Sequence, residues 1–384
     1  FNAVFDGDNK TIHLDNLTAS VFSVNKGTVK NVKFDGNAVL TEYECGIIAG
    51  NNQGTIANCE NRAAAEIGNS RGGGLVGYNQ GGTLNGLRNY GEITLTKSTT
   101  GGICGYSTGK ISNCANYGDI TITANSSAHG GIVGNQQTTS AVESCANFGN
   151  ITASGDAYNI GGIIGEFRSA NTTAVKNCVN AGNITVKSGK AAAGIIASLG
   201  NESYDDVKIE NSYNSGIITI GNADSSNAYA IYNYEAAGVT GTTVVNGYYL
   251  ISGDTVGKGA SVGLTSDEMK LKESFAGFDF TNIWTIDSSN KLYSYPQLID
   301  APHWAEPVKL ATPSYSSSGT PRNNGEGVEL TLVIAEGTKK IKAGIYEGTT
   351  LIGEEITKLY EEGKTDYQII FPLAGLTVGN TYTI

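Results

Sequence analysis

The chain has 384 residues, of which 52 are glycine and only 6 are proline, and its formal net charge is −11. Glycine is about twice as frequent as usual, but it follows no three-residue period and proline is scarce, which excludes a collagen-like chain. An acidic chain without a cluster of lysine or arginine is a poor nucleic-acid binder, because contacts to phosphate need a basic surface. We therefore predict no nucleic-acid partner, and strands joined by glycine and asparagine turns.

Residues 1–40 predict an irregular first coil of a repeat structure. The composition indicates a turn at Asp6–Asn9 and strands at Ile12–Leu17 and Gly27–Phe34.

From residue 45 onward, a block typified by Gly-Gly-Ile-Val-Gly recurs at intervals of 28 to 32 residues. Its second glycines are Gly46, Gly74, Gly102, Gly131, Gly162 and Gly194. Two further blocks, typified by Asn-Cys-x-Asn and Ile-Thr-Ile, follow within the repeat. Three short strand segments per repeat, separated by turns, predict one coil of a right-handed, three-sided parallel β-helix. We assign residues 1–260 to this all-β solenoid, with about seven to eight coils.

Two columns of identical residues should stack along the coils, about 4.8 Å apart. We predict a buried ladder of free thiols at Cys59, Cys114, Cys145 and Cys178. One cysteine per coil cannot make a metal cluster, and a disulfide between direct parallel neighbours, although conceivable, fits the required geometry poorly. We also predict an internal asparagine ladder at Asn61, Asn89, Asn116, Asn147, Asn180 and Asn214.

Three aromatic residues, Tyr90, Tyr117 and Phe148, align in the same way. They predict an aromatic stack at the edge of a coil, or alternatively a surface that faces a sugar.

The sequence contains no nucleophile motif and no H-E-x-x-H motif, so we predict no catalytic residue and no cofactor. Glu202, Asp205 and Asp206 share an acidic loop, which is either solvated or, alternatively, a Ca²⁺ site. The candidate ligand-binding residues are Tyr204, Asp205, Asp206, Tyr229, Tyr232 and Tyr234. Strand alternation explains Tyr232 and Tyr234 equally well. We expect recognition in the least regular parts, at 153–160, 170–174, 201–206 and 222–235.

Residues 261–300 predict a cap of the solenoid, with a helix that begins after Ser266 as its N-cap. The proline-rich residues 301–312 predict a linker. Residues 313–384 predict a β-sandwich of immunoglobulin or fibronectin III type that is incomplete at Ile384. Its predicted strands are Val328–Ala335, Ile341–Tyr346, Gln368–Phe371 and Tyr382–Ile384.

The segments Gly73–Tyr78 and Gly101–Thr121 resemble the GLUG-motif repeat family. Phe278–Trp284, followed by Tyr295–Leu298, looks like the ending common after such repeats, and Leu376–Tyr382 resembles the Leu-to-Tyr corner of fibronectin type III domains. The family is similar to bacterial surface adhesins and to stalks of secreted proteases, often lipid-anchored. The resemblance implies exposure and presentation, and it implies no catalytic residues.

These observations together predict a non-enzymatic, adhesin-like monomer that binds a host or matrix glycan or protein. We expect it outside the cell or at the cell surface, as an outer-membrane lipoprotein whose lipid anchor lies outside this chain. One alternative is a polysaccharide lyase or hydrolase on a β-helix, which would need carboxylates within about 10 Å of each other. A second alternative is a passive stalk for a distal module.

Overall fold

The computed structural model describes residues 1–301 except 124, 170–171, 188–190, 201–206, 222–227, 236–240, 253–255 and 288–292, and beyond 301 the backbone of five strands. At residues 172–173 and 234–235 only the backbone is described. The chain divides into two units, Phe1–Ala305 and Glu306–Ile384.

The first unit is an all-β solenoid in which three parallel sheets carry the repeats. The eight-stranded sheet consists of Phe22–Asn25, Ala49–Asn52, Val76–Asn79, Cys104–Ser107, Val133–Gln136, Ile164–Phe167, Ile196–Leu199 and Tyr232–Glu235. The five-stranded sheet consists of Thr100–Gly101, Ser127–Gly130, Tyr158–Gly161, Ala192–Ala193 and Ala228–Tyr229.

The third sheet has 21 strands and holds the remaining segments of every coil. Its strands are Val4–Leu17, Thr28–Leu40, Thr55–Ala57, Glu60–Asn61, Ala64–Ile67, Thr83–Asn85, Arg88–Asn89, Ile93–Leu95, Lys110–Ser112, Ala115–Asn116, Ile120–Ile122, Val142–Glu143, Ala146–Asn147, Ile151–Ala153, Thr172–Lys176, Val179–Asn180, Ile184–Val186, Val207–Asn214, Ile218–Ile220, Thr243–Leu250 and Val262–Leu264.

Successive coils stack in register, which confirms the long parallel sheets predicted from the repeats. Five buried isoleucines pair in one column, Ile93, Ile120, Ile151, Ile184 and Ile218. The count of three strand segments per coil was wrong, because one coil has five: Thr100–Gly101, Cys104–Ser107, Lys110–Ser112, Ala115–Asn116 and Ile120–Ile122. The glycine block spans two of these strands, and Lys110–Ser112 lies outside the repeated blocks.

The first residue of the Asn-Cys-x-Asn block bends the chain, between two strands at Asn113 and inside one strand at Asn211. This position has a left-handed backbone in every coil, with φ from 47° at Asn211 to 69° at Gly86. Asparagine and glycine tolerate this conformation better than other residues. The same preference explains the error in the first coil. Asp8 and Asn9, at φ 49° and 57°, form a bulge inside the strand Val4–Leu17 instead of a turn between strands.

The predicted helix after Ser266 was also wrong. Two short 3-10 helices occupy Glu268–Lys270 and Lys272–Ser274. Thr265 takes the capping role, since its Oγ1 accepts from the Glu268 N–H at 3.3 Å while its own N–H donates to Glu268 Oε2 at 2.7 Å. Ser266 Oγ lies 3.0 Å from the Tyr295 hydroxyl.

The covering segment, residues 265–287 and 293–301, packs along the side of the 21-stranded sheet. They cover the third residue of the Asn-Cys-x-Asn block in five coils, here named the covered row: Ala115, Ala146, Val179, Tyr213 and Tyr248. Phe275, Phe278 and Trp284 fill this contact, and the rings of Phe278 and Trp284 stack at 4.6 Å. A short antiparallel pair, Trp284–Thr285 with Gln297–Leu298, holds the segment together.

The second unit contains two antiparallel sheets. One joins Tyr315–Ser316, Val328–Val333 and Asp366–Phe371, and the other joins Lys340–Glu347 and Thr350–Leu359. The sequence analysis missed the strand Thr350–Leu359, and the predicted strand at Tyr382–Ile384 lies outside the described residues.

Candidate functional site

The candidate ligand-binding residues fall into three groups. Glu202, Tyr204, Asp205 and Asp206 lie outside the described residues, as does the side chain of Tyr234. Tyr229 is partly exposed, and the Lys258 ammonium lies 5.5 Å from its ring centre. Tyr232 is only 4% exposed and belongs to the core, so its predicted role in a binding platform was wrong.

The four aligned cysteines lie inside the solenoid, and all six cysteines are buried and unbridged. The backbone N–H of Cys114 lies 3.4 Å from Cys145 Sγ, and the N–H of Cys145 lies 3.3 Å from Cys178 Sγ. Burial raises the pKa of Cys59 to about 11 and those of Cys114 and Cys145 well above the ordinary value. The protonated thiols therefore act as small apolar core groups.

The aligned asparagines form one continuous internal ladder. Each Nδ2 donates to the Oδ1 of the next coil at 2.7 to 2.8 Å, through Asn61, Asn89, Asn116, Asn147, Asn180 and Asn214. A second ladder, which the sequence analysis missed, runs Asn25, Asn52, Asn79 and Ser107 at 2.7 to 3.2 Å. Both ladders are buried, so these amides support the coils and do not form a ligand site.

The aligned aromatic residues stack as expected. Ring centres are 4.8 Å apart for Tyr90 and Tyr117 and 5.2 Å apart for Tyr117 and Phe148. The Arg62 guanidinium lies 4.6 Å from the Tyr90 ring, and Tyr293 of the covering segment meets Phe148 edge-on at 6.0 Å. Other side chains thus pack at both ends of this stack.

A different surface combines aromatic and polar groups on the eight-stranded sheet. Five residues pair in register on successive strands, here named the tyrosine row: Asn51, Tyr78, Tyr106, Asn135 and Glu166. Tyr78 and Tyr106 are partly exposed, and their ring centres lie 5.0 Å apart. With strands about 4.8 Å apart, the row extends roughly 19 Å along the solenoid.

The third glycine of the repeated block brings charged residues onto this row. A Cβ on Gly77 would lie 2.4 Å from the Glu44 carbonyl carbon, and one on Gly105 would lie 2.5 Å from that of Arg71. The chain before each block can therefore cross close above the sheet. Glu44 and Arg71 adopt left-handed backbones there, with φ of 59° and 55°. The same conformation recurs at Thr99, Ala128 and Asn159 in the following coils, with φ of 60°, 64° and 56°, so it belongs to the repeat.

Arg71 occupies the centre of an aromatic cluster. Its guanidinium lies 4.3 Å from the ring centre of Tyr106, 5.2 Å from that of Tyr78 and 5.5 Å from that of Tyr43. Tyr43 is 56% exposed. The three rings and the flat guanidinium thus form one partly exposed aromatic surface, in which each cation–π contact contributes about 0.5–1 kcal/mol.

Each end of the tyrosine row has a set of one glutamate, one arginine and one asparagine. In the first set, Glu44 Oε1 pairs with Arg71 at 2.9 Å and Glu44 Oε2 accepts from Asn51 Nδ2 at 3.2 Å. In the second, Glu166 Oε1 pairs with Arg168 at 2.7 Å and Glu166 Oε2 accepts from Asn135 Nδ2 at 2.7 Å. The two carboxylates thus lie at opposite ends of the row. Each carboxylate is already bound by an arginine and an asparagine amide.

The described residues contain no group of three or more His, Cys, Asp or Glu side chains that could hold a metal ion. His129 is buried, its Nδ1 lies 2.7 Å from Thr100 Oγ1, and its Nε2 lies 3.1 Å from Ser126 Oγ. Burial lowers the pKa of His129 to about 4, so the imidazole is neutral at pH 7 and serves the fold.

A polar cavity of about 360 Å³ lies between the 21-stranded sheet and the covering segment. Its lining includes Lys110, Ser112 and Glu143 from the sheet and Asn282 and Asp300 from the segment. The cavity therefore results from the side packing of the covering segment.

The sequence contains one signal for the tyrosine row. Tyrosine follows the third glycine of the block at Tyr78 and Tyr106, and Asn135 and Glu166 follow it in the next two coils. The structure places Tyr78 and Tyr106 on the outside of the solenoid, where both are partly exposed.

Comparisons with known proteins give little further information. No family model matches the chain, and no curated protein matches it. One solved structure that matches is described as "a putative immunoglobulin A1 protease from Bacteroides ovatus"; it is 18% identical, with 77% of each chain covered and a TM-score of 0.36. A similarity this low supports no inference about activity. Among the described residues no helix is long and apolar enough to cross a membrane.

Proposed function

We propose that this chain is a non-enzymatic, adhesin-like protein whose solenoid presents the tyrosine row to a host or matrix glycan or protein. The observation that supports this proposal is the cluster of Arg71 with Tyr43, Tyr78 and Tyr106 on the eight-stranded sheet. Tyrosine and arginine contribute more to binding energy than most residues, because they offer large contact areas and hydrogen bonds together. Tyr78 and Tyr106 are attached to stacked strands, which keeps the entropic cost of binding low.

The finer features of the fold and its setting belong to the same proposal. Parallel strand connections are almost always right-handed, which favours a right-handed, three-sided β-helix. The GLUG-like blocks favour a place at the cell surface, as a monomer held by a lipid anchor outside this chain. The two antiparallel sheets of the second unit are compatible with a sandwich of immunoglobulin or fibronectin III type.

A polysaccharide-active enzyme remains the alternative function. Such an enzyme needs two acidic groups close to one bond of the substrate. Glu44 contacts Asn51 at one end of the tyrosine row, and Glu166 lies at the other end, four strands away. Four strands are roughly 19 Å, so these two carboxylates are too far apart to act on one bond. A passive stalk is the other alternative, and it would bind nothing through its solenoid.

The test uses the full chain on arrays of glycans and matrix proteins, with product analysis of every glycan that binds. We expect binding without cleavage, and a loss of affinity of at least about tenfold in Tyr106→Ala. Tyr158→Ala is the control, because Tyr158 is 45% exposed on the five-stranded sheet. Release of shorter glycans would establish the enzyme, and a folded chain that binds nothing on the arrays would favour the stalk.

A further inference from the structure

The two polar sets at the ends of the tyrosine row have the same hydrogen-bond pattern. In each, one glutamate accepts from an arginine through one oxygen and from an asparagine through the other. A carboxylate can only accept hydrogen bonds, so the NH2 group of each asparagine must face it. This contact fixes the orientation of both amides and points Oδ1 away from the carboxylate.

The fixed orientation leaves two acceptors unused. Asn51 Oδ1 and Asn135 Oδ1 are buried and have no hydrogen-bond donor, and Asn135 as a whole is 4% exposed. Arg168 Nε is likewise buried without an acceptor. Buried polar atoms are nearly always paired in folded proteins, and an unpaired one costs free energy. A ligand that supplies donors at both ends would therefore recover this cost.

The charges of the two sets disfavour an acidic ligand. Arg71 and Arg168 are each neutralised by a glutamate at 2.9 and 2.7 Å. The whole chain has a net charge of −11, which repels polyanions. A sulfated or uronic-acid glycan would have to displace a glutamate from its arginine and approach against this field.

The spacing of the acceptors sets the size of the ligand. Asn51 and Asn135 are three strands apart in the row, which is roughly 14 Å. Tyr78 and Tyr106 lie between them, and the negative faces of such rings attract the C–H groups of a sugar. A span of this length needs more than one sugar unit.

Resting on the proposed function, we infer that the tyrosine row binds a neutral, hydroxyl-bearing oligosaccharide that runs along the solenoid axis. Sugar hydroxyls donate to Asn51 Oδ1 at one end and to Asn135 Oδ1 at the other. The sugar units between them pack on Tyr78, Tyr106 and the Arg71 guanidinium. Both acceptors are enclosed in the structure, so the partly exposed side chains around them rotate on binding.

The experiment compares neutral, uronic-acid and sulfated oligosaccharides with matrix proteins on one array, at low and at high salt. We expect the neutral oligosaccharides to bind best. Their affinity should change less than about twofold with salt, because a neutral ligand makes no ion pair that salt could screen. Asn51→Leu and Asn135→Leu remove one acceptor each and should weaken binding about tenfold. Asn282→Ala, an exposed amide on the covering segment, is the control and should bind as the original chain does.

The outcomes separate this inference from the function it rests on. Binding of sulfated or uronic-acid glycans alone, with a steep loss in salt, overturns the neutral ligand and leaves the adhesin-like function standing. Binding of a matrix protein and no glycan does the same. A folded chain that binds nothing overturns both. Should Asn135→Leu fail to fold, Asn51→Leu and the salt series still decide.

Discussion

Two outward-facing rows of the solenoid differ in what lies on them. The covered row on the 21-stranded sheet has small or apolar residues, such as Ala115, Ala146 and Val179, and the chain's own covering segment packs over it. The tyrosine row on the eight-stranded sheet has partly exposed tyrosines flanked by ion pairs. The same coil geometry thus produces an internal docking face on one side and a polar, aromatic surface on another. The outward-facing residue of each repeated block decides which of these two surfaces forms.

The largest effect should come from the covering segment that packs on the covered row. Trp284→Ala removes a fully buried ring that stacks on Phe278 at 4.6 Å, which should cost about 3–5 kcal/mol. Denaturant unfolding measures this cost. Limited proteolysis should then cut first within the covering segment, and an unchanged midpoint would show that the segment does not stabilise the solenoid.

The pH dependence of stability tests a residue that belongs to neither row. Burial lowers the pKa of His129 to about 4, below its unfolded value near 6.5. Between these values the unfolded chain binds more protons than the folded chain. The stabilisation is therefore complete above about pH 6.5 and is lost as the pH falls through 4, by up to about 3 kcal/mol.

A matched variant isolates this contribution. Unfolding from pH 7 to pH 4 should show a shallower loss of stability in His129→Gln than in the original chain. Parallel curves would contradict the buried, neutral imidazole.

A smaller effect should come from the glycine that admits Arg71 to the tyrosine row. In Gly105→Ala the new Cβ would lie 2.5 Å from backbone of Arg71, which must shift at a cost of about 1–3 kcal/mol. Binding should weaken as well. Gly81→Ala is a control for steric contact, because a Cβ there meets nothing within 4 Å, although its φ of 69° adds some strain. Equal ligand affinity in Gly105→Ala and the original chain would show that the position of Arg71 does not matter for ligand binding.

The smallest change in stability should come from the tyrosine row itself. Tyr106 is partly exposed, and Tyr106→Ala loses one ring contact and one cation–π contact, about 1 kcal/mol together. Thermal unfolding with and without ligand measures this cost. A loss of stability as large as that in Trp284→Ala would show that the tyrosine row serves the fold and not recognition.

Periodicity in the sequence predicted much of the fold. The isoleucine column and the asparagine ladder follow from identical residues at one position per coil, because a parallel solenoid stacks like on like. Residue types typical of turns and helix caps predicted the local structure less well than periodicity did. Asp6–Asn9 has the composition of a turn, yet neighbouring-strand pairing keeps it inside Val4–Leu17 as a bulge. Thr265 and Ser266 both have hydroxyls suited to capping, and only the chain path selects Thr265.

The tyrosine row could be predicted only in part. The tyrosines after the third glycine were visible at Tyr78 and Tyr106, but whether that position faces inward or outward depends on the five-strand path of the coil. Arg71 reaches the row because its backbone crosses above Gly105, in the next coil. Such a crossing between coils leaves no local pattern around Arg71 itself. Recognition was expected in the least regular parts of the chain, whereas the tyrosine row lies on a regular sheet face.

The most direct test of the tyrosine row as the recognition surface compares it with the other aromatic group on the solenoid. Ligand affinity of the full chain is measured for Tyr78→Ala/Tyr106→Ala and for Tyr90→Ala/Tyr117→Ala, which removes the stack on the 21-stranded sheet. We expect the first double variant to lose binding while it stays folded, and the second to keep the original affinity. Loss of binding in the second variant alone would place recognition on the 21-stranded sheet and contradict this account.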